Sequence, residues 1–308
     1  MARAIHSTAG GLIVADATLE GSVRSAAHDG DTIAVKTAGG FGVRFLGIDT
    51  PEISFTLPGS SRFVGIAKPE WEAFLADPFA KALPAFKTKL GAGLRAWLKR
   101  RVGAGVAANH ARHAERGQRA LEALIEADAT ALGRPSKDAP LFLAFAFEAL
   151  DRYGRMLAFI HPSQPGAKPA DRLASYNERQ LVAGVALPYF IWPNVDPFLR
   201  DRSALTPAKL RKALARASSL QASRRGVKAA RERGIGVFAK DDPLRLAPFE
   251  LRFLAGRRAP ERWVIDLAAT DGRLHRPQSY FQIPNDEDRL YLPSEMVPLF
   301  VENGWKRR

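Results

Sequence analysis

Between Gly21 and Asp49, short apolar stretches broken by turn residues predict strands. "GSVRSAAHDGDTIAVK" predicts two short strands meeting at a turn, His28-Asp29-Gly30, and "TAGGFG" predicts the next turn, its glycines tolerating positive φ. "VRFLGID" follows as a strand with Val43 and Phe45 on one face and Arg44, Leu46 and Ile48 on the other. Antiparallel strands this close predict a small barrel or meander.

The period then changes. Residues 59–113 are rich in alanine and leucine, and their spacing predicts several short helices cut by Pro84 and glycines, with a separate helix starting at Ala114. "LFLAFAFEAL" from Leu141 reads as a buried strand, "RYGRMLAFIH" as another after a turn, and "NERQLVAGVA" as a short helix. A helix opens at Thr206 and Pro207, good cap and first-turn residues, with Leu210, Leu214, Ala217 and Leu220 as its apolar stripe. From about Asp241, "RWVIDLAATDGRLHR" predicts extra strands, with a helix near Pro293.

Composition adds a charge argument. The 308 residues can bury a sizeable core in one or two domains. With 46 Lys+Arg against 32 Asp+Glu the net charge is +14, which favours a polyanionic partner, nucleic acid first and an anionic membrane surface second. Charge that serves only solubility is the competing reading. No apolar run approaches the ~18 residues needed to span a bilayer. The N-terminus lacks a sustained apolar segment, so no secretory signal is expected and a cytoplasmic location is the default. The absence of cysteine excludes disulfides, thiolate metal sites and a cysteine nucleophile.

Against that basic background, the hairpin region gathers acids. Asp31 opens one strand, Arg44 sits inside the next, and Asp49 and Glu52 follow its end. Clustered carboxylates can bind a hard divalent cation. Pro51 keeps Thr50 extended and its carbonyl exposed. Arg44 can grip a phosphate oxygen and Glu52 can orient or deprotonate water, so the parts of phosphodiester hydrolysis are present. Singly, "DGDT" is most simply an Asx-Gly turn and "DTPE" a strand exit with capping residues.

Together they resemble the staphylococcal nuclease (thermonuclease) family. That family carries a D-G-D-T strand start, here Asp29-Gly30-Asp31-Thr32, and an arginine leading into D-T-P-E, here Arg44 and Asp49-Thr50-Pro51-Glu52. It also has a later Y-G-R, here Tyr153-Gly154-Arg155. "YNERQLVAGVALPYFIWPN" is similar to its N-E-x-L-V-x-x-G helix, with Asn177, Glu178 and Gly184 matching and one residue missing before Tyr189. "LRKALARA" and "GIGVF" resemble its last helix and aromatic tail. The likeness covers roughly residues 18–58 and 114–240.

The resemblance implies an α+β fold, a five-stranded OB-fold Greek-key barrel with helices. The nuclease domain would span 18–240, interrupted by a helical insertion at 59–113 and followed by an extension, 241–308. The resemblance implies Ca2+ held by Asp31, Asp49 and the Thr50 carbonyl, with Arg44 and Arg155 on the scissile phosphate and Glu52 as base or water-orienting residue. Arg152, Tyr153 and Tyr189 match substrate-binding positions, Arg152 standing where the family often has lysine. Members of this type cut DNA and RNA endonucleolytically and leave 3′-phosphates. The rival class is a non-catalytic barrel that binds nucleic acid or protein. Degenerate copies lose the metal and phosphate side chains, which this chain keeps. No membrane association and no obligate protein partner are expected.

Weaker signals lie outside the match. The insertion carries ten basic residues against three acidic ones and could extend a nucleic-acid track or form a cap with a solvated face. Residues 206–233 carry nine basic residues and one acid, read as a packed helix with a wet basic face. His110 and His113 could share a metal, but without a matched third ligand they read as solvated helix residues. Trp71 and Trp97 could stack bases, with core packing as the default.

Overall fold

The computed structural model describes residues 6–8, 11–19, 22–36, 41–151, 154–168, 171–199 and 205–308. The strands are β1 (His6–Thr8), β2 (Gly11–Leu19), β3 (Ala27–Asp29), β4 (Thr32–Lys36), β5 (Phe41–Phe45), β6 (Gly47–Asp49), β7 (Ser54–Thr56) and β8 (Phe63–Gly65). After a long helical stretch come β9 (Leu141–Leu150), β10 (Met156–Pro162), β11 (Leu187–Ile191), β12 (Trp263–Asp266), β13 (Arg273–His275), β14 (Arg289–Leu292) and β15 (Lys306–Arg307). The helices are α1 (Val23–Ala26), α2 (Pro69–Ala76), α3 (Ala92–Lys99), α4 (Val106–Ala131), α5 (Tyr176–Val182), α6 (Pro207–Arg216), α7 (Ser218–Arg233), α8 (Pro248–Ala255) and α9 (Val297–Glu302). The protein is α+β. No helix among the described residues is long and apolar enough to cross a membrane.

Among the described residues the strands fall into three sheets. In the largest the order is β1-β2-β9-β10-β5-β4-β3, and β2 also pairs with β4. The β5–β10 contact is parallel, with Leu157 opposite Arg44, while β2–β9, β9–β10, β4–β5 and β2–β4 are antiparallel. The second sheet runs β15-β13-β12-β14-β11-β6, so the segment after Asp241 is hydrogen-bonded, through β14 and β11, to the strand that ends at Asp49. The third is the β7–β8 hairpin, just after Glu52.

Two main cores result. One buries Ile33, Val43, Phe45 and Ile48 against Leu121 and Ile125 of α4, Leu181 of α5, Leu214 and Val227 of α6 and α7, and Leu290 and Phe300. The other unites the insertion with the C-terminal segment: Ile66, Trp71, Leu75, Leu94 and Leu98 pack with Leu246, Leu251, Leu254, Val264, Tyr280 and Tyr291. The two stretches without a counterpart in the resemblance therefore solve each other's burial problem.

Several local expectations are corrected. Residues 23–26 form a helical turn rather than a strand, because the Ser22 hydroxyl accepts the Ser25 N–H and caps it. Ile48 lies in the same core as Val43 and Phe45, not on the face of Arg44. The chain bends at Leu46 and Gly47 has φ +77°, which shifts the alternation by one residue. No helix starts at Ala114: α4 begins after positive-φ Gly103 and Gly105 and runs 26 residues, since nothing between His113 and Ala114 breaks it. The basic helix expected from Thr206 is two helices, divided at Ala217, whose ψ of 92° is extended. The stripe Leu210, Leu214, Ala217 and Leu220 is buried as expected, and Thr206 caps α6. Helix α8 forms where the sequence pattern predicts no helix.

Candidate functional site

The turn at Gly30-Asp31 is pinned to the end of β5, because the Asp31 carbonyl accepts the Phe45 N–H at 2.9 Å. It is also pressed against the chain leaving β6. A Cβ on Gly30 would lie 2.7 Å from Thr50 Cγ2 and 3.2 Å from the Gly117 carbonyl carbon of α4. Only glycine allows this approach, and it brings Asp31 beside Thr50, whose N–H donates to Asp31 Oδ2 at 3.1 Å.

Five of the residues singled out in the sequence converge here. Arg44 Nη2 lies 3.3 Å from Asp31 Oδ2 and 3.3 Å from Asp49 Oδ1. Asp49 and Thr50 are each 1% exposed, Asp31 2% and Glu52 9%. Carboxylates this buried are tolerated only with partners, and the structure supplies two that the motifs did not suggest. Arg252 of α8 donates from Nη2 to Asp49 at 2.8 Å and from Nη1 to Glu52 Oε1 at 2.5 Å. His110 of α4, fully buried, accepts the Glu52 backbone N–H at Nε2, at 2.9 Å.

Proton affinities follow from this packing. Burial, then the charges of Asp31 and Glu52, push Asp29 well above the usual carboxylate range, so it carries the proton of the Asp29–Asp31 pair. Burial also acts on Asp31, but Arg44, the hydrogen bond to Asp29, Arg252 and the Thr50 amide outweigh it and hold its carboxyl below the usual range. Burial raises Asp49 to about 6 against the pull of Arg252. Burial alone would lower Arg252, but Asp49 and Glu52 raise it further above the usual guanidinium range. Asp31, Asp49 and Glu52 thus face Arg44 and Arg252, three carboxylates against two guanidiniums.

Arg155 and Tyr189 have their own local partners. The Arg155 side chain lies over Gly42, two residues before Arg44 along β5, with Cγ 3.4 Å from the position of a Cβ there. Its Nε donates to Asp151 Oδ2 at 2.8 Å. Tyr189 sits on β11 opposite Gly47, its ring stacked on Phe249 at 5.6 Å and 20° and its hydroxyl accepting from Arg262 Nη1 at 2.9 Å. Arg152 and Tyr153 lie outside the described residues.

The donor set fits a hard divalent cation, which takes oxygen ligands. Asp31 and Asp49 reach towards one shared point, where a cationic nitrogen of Arg44 now stands. Thr50 Oγ1 is buried with no hydrogen-bond partner among the described residues. No three His, Asp or Glu side chains gather there as a metal-holding group among the described residues, so an ion would rely on two carboxylates, the Thr50 carbonyl and water.

The two histidines of the insertion correct an expectation. Both are buried, not solvated: His110 binds Glu52, and His113 Nε2 meets the Asp242 carbonyl oxygen at 2.9 Å. Trp71 is fully buried, while Trp97 stacks on Phe281 and donates to Glu250 at 2.8 Å. Sequence reasoning missed Arg252. Its one signal is a lone arginine within "PFELRFLA", a helical apolar run in which a charge needs a buried partner.

In comparisons with known proteins, no family model and no curated protein matches the chain.

Proposed function

We propose that this chain is a calcium-dependent nuclease of the staphylococcal nuclease type, hydrolysing phosphodiester bonds in DNA or RNA on a five-stranded OB-fold Greek-key barrel. The observation that carries the reading is the convergence of Asp31, Arg44, Asp49, Thr50 and Glu52 in one buried cluster. Packing alone gives no reason to bury these acids together. The barrel is supported by the run β2-β9-β10-β5-β4, whose ends are joined by the β2–β4 pairing and whose single parallel contact is β5–β10.

Asp31, Asp49 and the Thr50 carbonyl would hold the ion. Bound there, a divalent cation supplies Lewis-acid polarisation of a phosphoryl oxygen. Arg44 on β5 and Arg155, just before β10, would grip the phosphate through paired N–H donors and stabilise the charge that grows in the transition state. Glu52 has its backbone fixed by His110 and its carboxylate oriented by Arg252, and would take the proton of the attacking water. The net charge of +14 suits a polyanionic substrate.

A binding-only module is the second reading, and one observation favours it: Arg252 already engages both Asp49 and Glu52. Single- and double-stranded DNA and RNA incubated with the protein in Ca2+ or EDTA separate the two. Calcium-dependent fragments support the nuclease. Retention of intact nucleic acid by the protein, without fragments in either condition, supports the binding module.

A further inference from the structure

Neither the motif spacing nor the resemblance accounts for Arg252, and it makes the shortest ion pairs at the cluster. Asp49 lies 2.8 Å from Arg252 Nη2 but 3.3 Å from Arg44 Nη2, and Arg252 Nη1 reaches Glu52 at 2.5 Å. The guanidinium spans the two carboxylates and holds each by a different nitrogen.

The rest of α8 fixes this placement. Leu251, Phe253 and Leu254 are buried in the core shared by the insertion and the C-terminal segment. Phe249 stacks on Tyr189, next to the strand that ends at Asp49. Glu250 accepts from Trp97 at 2.8 Å, from Arg101 at 3.1 Å and from the Tyr280 hydroxyl at 2.5 Å. Arg252 is thus delivered by a helix held at five neighbouring positions.

Its charge is permanent, since a guanidinium does not deprotonate in proteins. The Asp49 side chain is 1% exposed and that of Arg252 22%, so water screens the pair little. A divalent cation bound by Asp49 meets a positive charge already on that carboxylate, and the two repel each other across it.

We propose that Arg252 is a resident counter-cation of the site, which competes with the divalent cation for Asp49 and sets the affinity of the site for it. The inference rests on the cation-dependent reading above and assigns a role to the segment after Asp241. The carboxylates stay paired and in place without the ion, at the cost of weak cation binding. A phosphodiester entering beside Arg44 offers the guanidinium another anion, which couples cation uptake to substrate.

The test is calorimetric titration of Ca2+ into the wild-type chain, Arg252→Met and Arg252→Lys, without nucleic acid. Methionine keeps much of the side chain's length without charge, and lysine keeps the charge but reaches one carboxylate at a time. Arg252→Met should bind Ca2+ about tenfold tighter or more, which corresponds to ~1.4 kcal/mol, with Arg252→Lys in between. Circular dichroism shows whether each variant folds. If Arg252→Met does not fold, Arg252→Lys decides, and affinity equal to or weaker than wild type overturns the proposal. Equal affinity in wild type and a folded Arg252→Met overturns the counter-cation while leaving the cation site intact. Tighter binding by wild type overturns it too, because Arg252 would then be organising the ligands. Absence of calcium binding in all three proteins overturns the cation site itself, and the inference with it.

Discussion

His110 accepts the backbone N–H of Glu52 at its Nε2, at 2.9 Å, across 58 residues of sequence. The ring is fully buried and sits on α4, the helix that also approaches Gly30 through Gly117. One helix therefore touches both ends of the acidic cluster. Accepting this hydrogen bond requires the neutral imidazole.

The neutral requirement has a pH signature. Burial pushes His110 down to about 3, whereas in the unfolded chain it titrates near 6.5. Between those values the unfolded state binds the extra proton, so this stabilisation is complete above about 6.5 and is lost as pH falls towards 3. His110→Gln should flatten that part of the profile, its amide oxygen still able to accept from Glu52. Thermal unfolding between pH 7.5 and 4.5 checks this. An unchanged pH slope in the variant would contradict the assignment.

Gly30→Ala places a methyl carbon 2.7 Å from Thr50 Cγ2, inside a contact that is closed on the other side by Gly117. Overpacking of this kind costs ~1–3 kcal/mol. Urea unfolding should show that loss, and cleavage should fall with it because Asp31 and Thr50 are displaced. Full stability with full activity would mean that the turn is looser than this packing implies.

Arg44→Lys and Arg155→Lys keep the charge but lose the paired, directional donors. Loss of such transition-state hydrogen bonds lowers rates by ~10²–10³. Each variant should show that fall in kcat while folding normally. Near wild-type cleavage by both would reduce these arginines to structural residues.

The basic segment of the insertion divides in two. Lys99 and Arg100 are exposed, whereas Arg101 donates to buried Glu250 and lies over the Trp97 ring at 4.8 Å. Lys99→Gln with Arg100→Gln should flatten the log–log salt dependence of nucleic-acid binding by about 0.7–0.9 for each phosphate that is no longer neutralised. Arg101→Gln should instead lower the melting temperature. Fluorescence anisotropy in EDTA across a salt series measures the slope, and an unchanged slope removes this helix from the substrate track.

The parts of the site that were legible in sequence are the local ones. Asp31, Asp49 and Glu52 sit at or just beyond strand ends and Arg44 within the strand between them, where spacing and residue type limit the chemistry. The strands Leu141–Leu150 and Met156–Pro162 and the cap at Thr206 were legible for similar reasons, although the first is buried only as far as Ala146 and exposes Phe147 and Leu150. The face of Ile48 was not, because a single positive-φ glycine reverses an alternation that otherwise reads cleanly. His110 and Arg252 were illegible because their partners lie 58 and 200 residues away, and no periodicity encodes a contact between separate elements. Helix α8 was missed although Pro248 at its start and Glu250, which accepts the Ala247 N–H at 2.9 Å, form a helix-start signature.

On the proposed reading, the buried acids of the β3–β4 turn and the β6 exit carry a cation-dependent hydrolysis. The most direct measurement is the initial rate of single-stranded DNA cleavage at saturating Ca2+ by wild type, Asp31→Asn and Asp49→Asn, with folding followed by circular dichroism. Wild type should cleave in a calcium-dependent way that EDTA abolishes, and both folded variants should lose that activity. Wild-type rates in either variant, or cleavage that persists in EDTA, would contradict it.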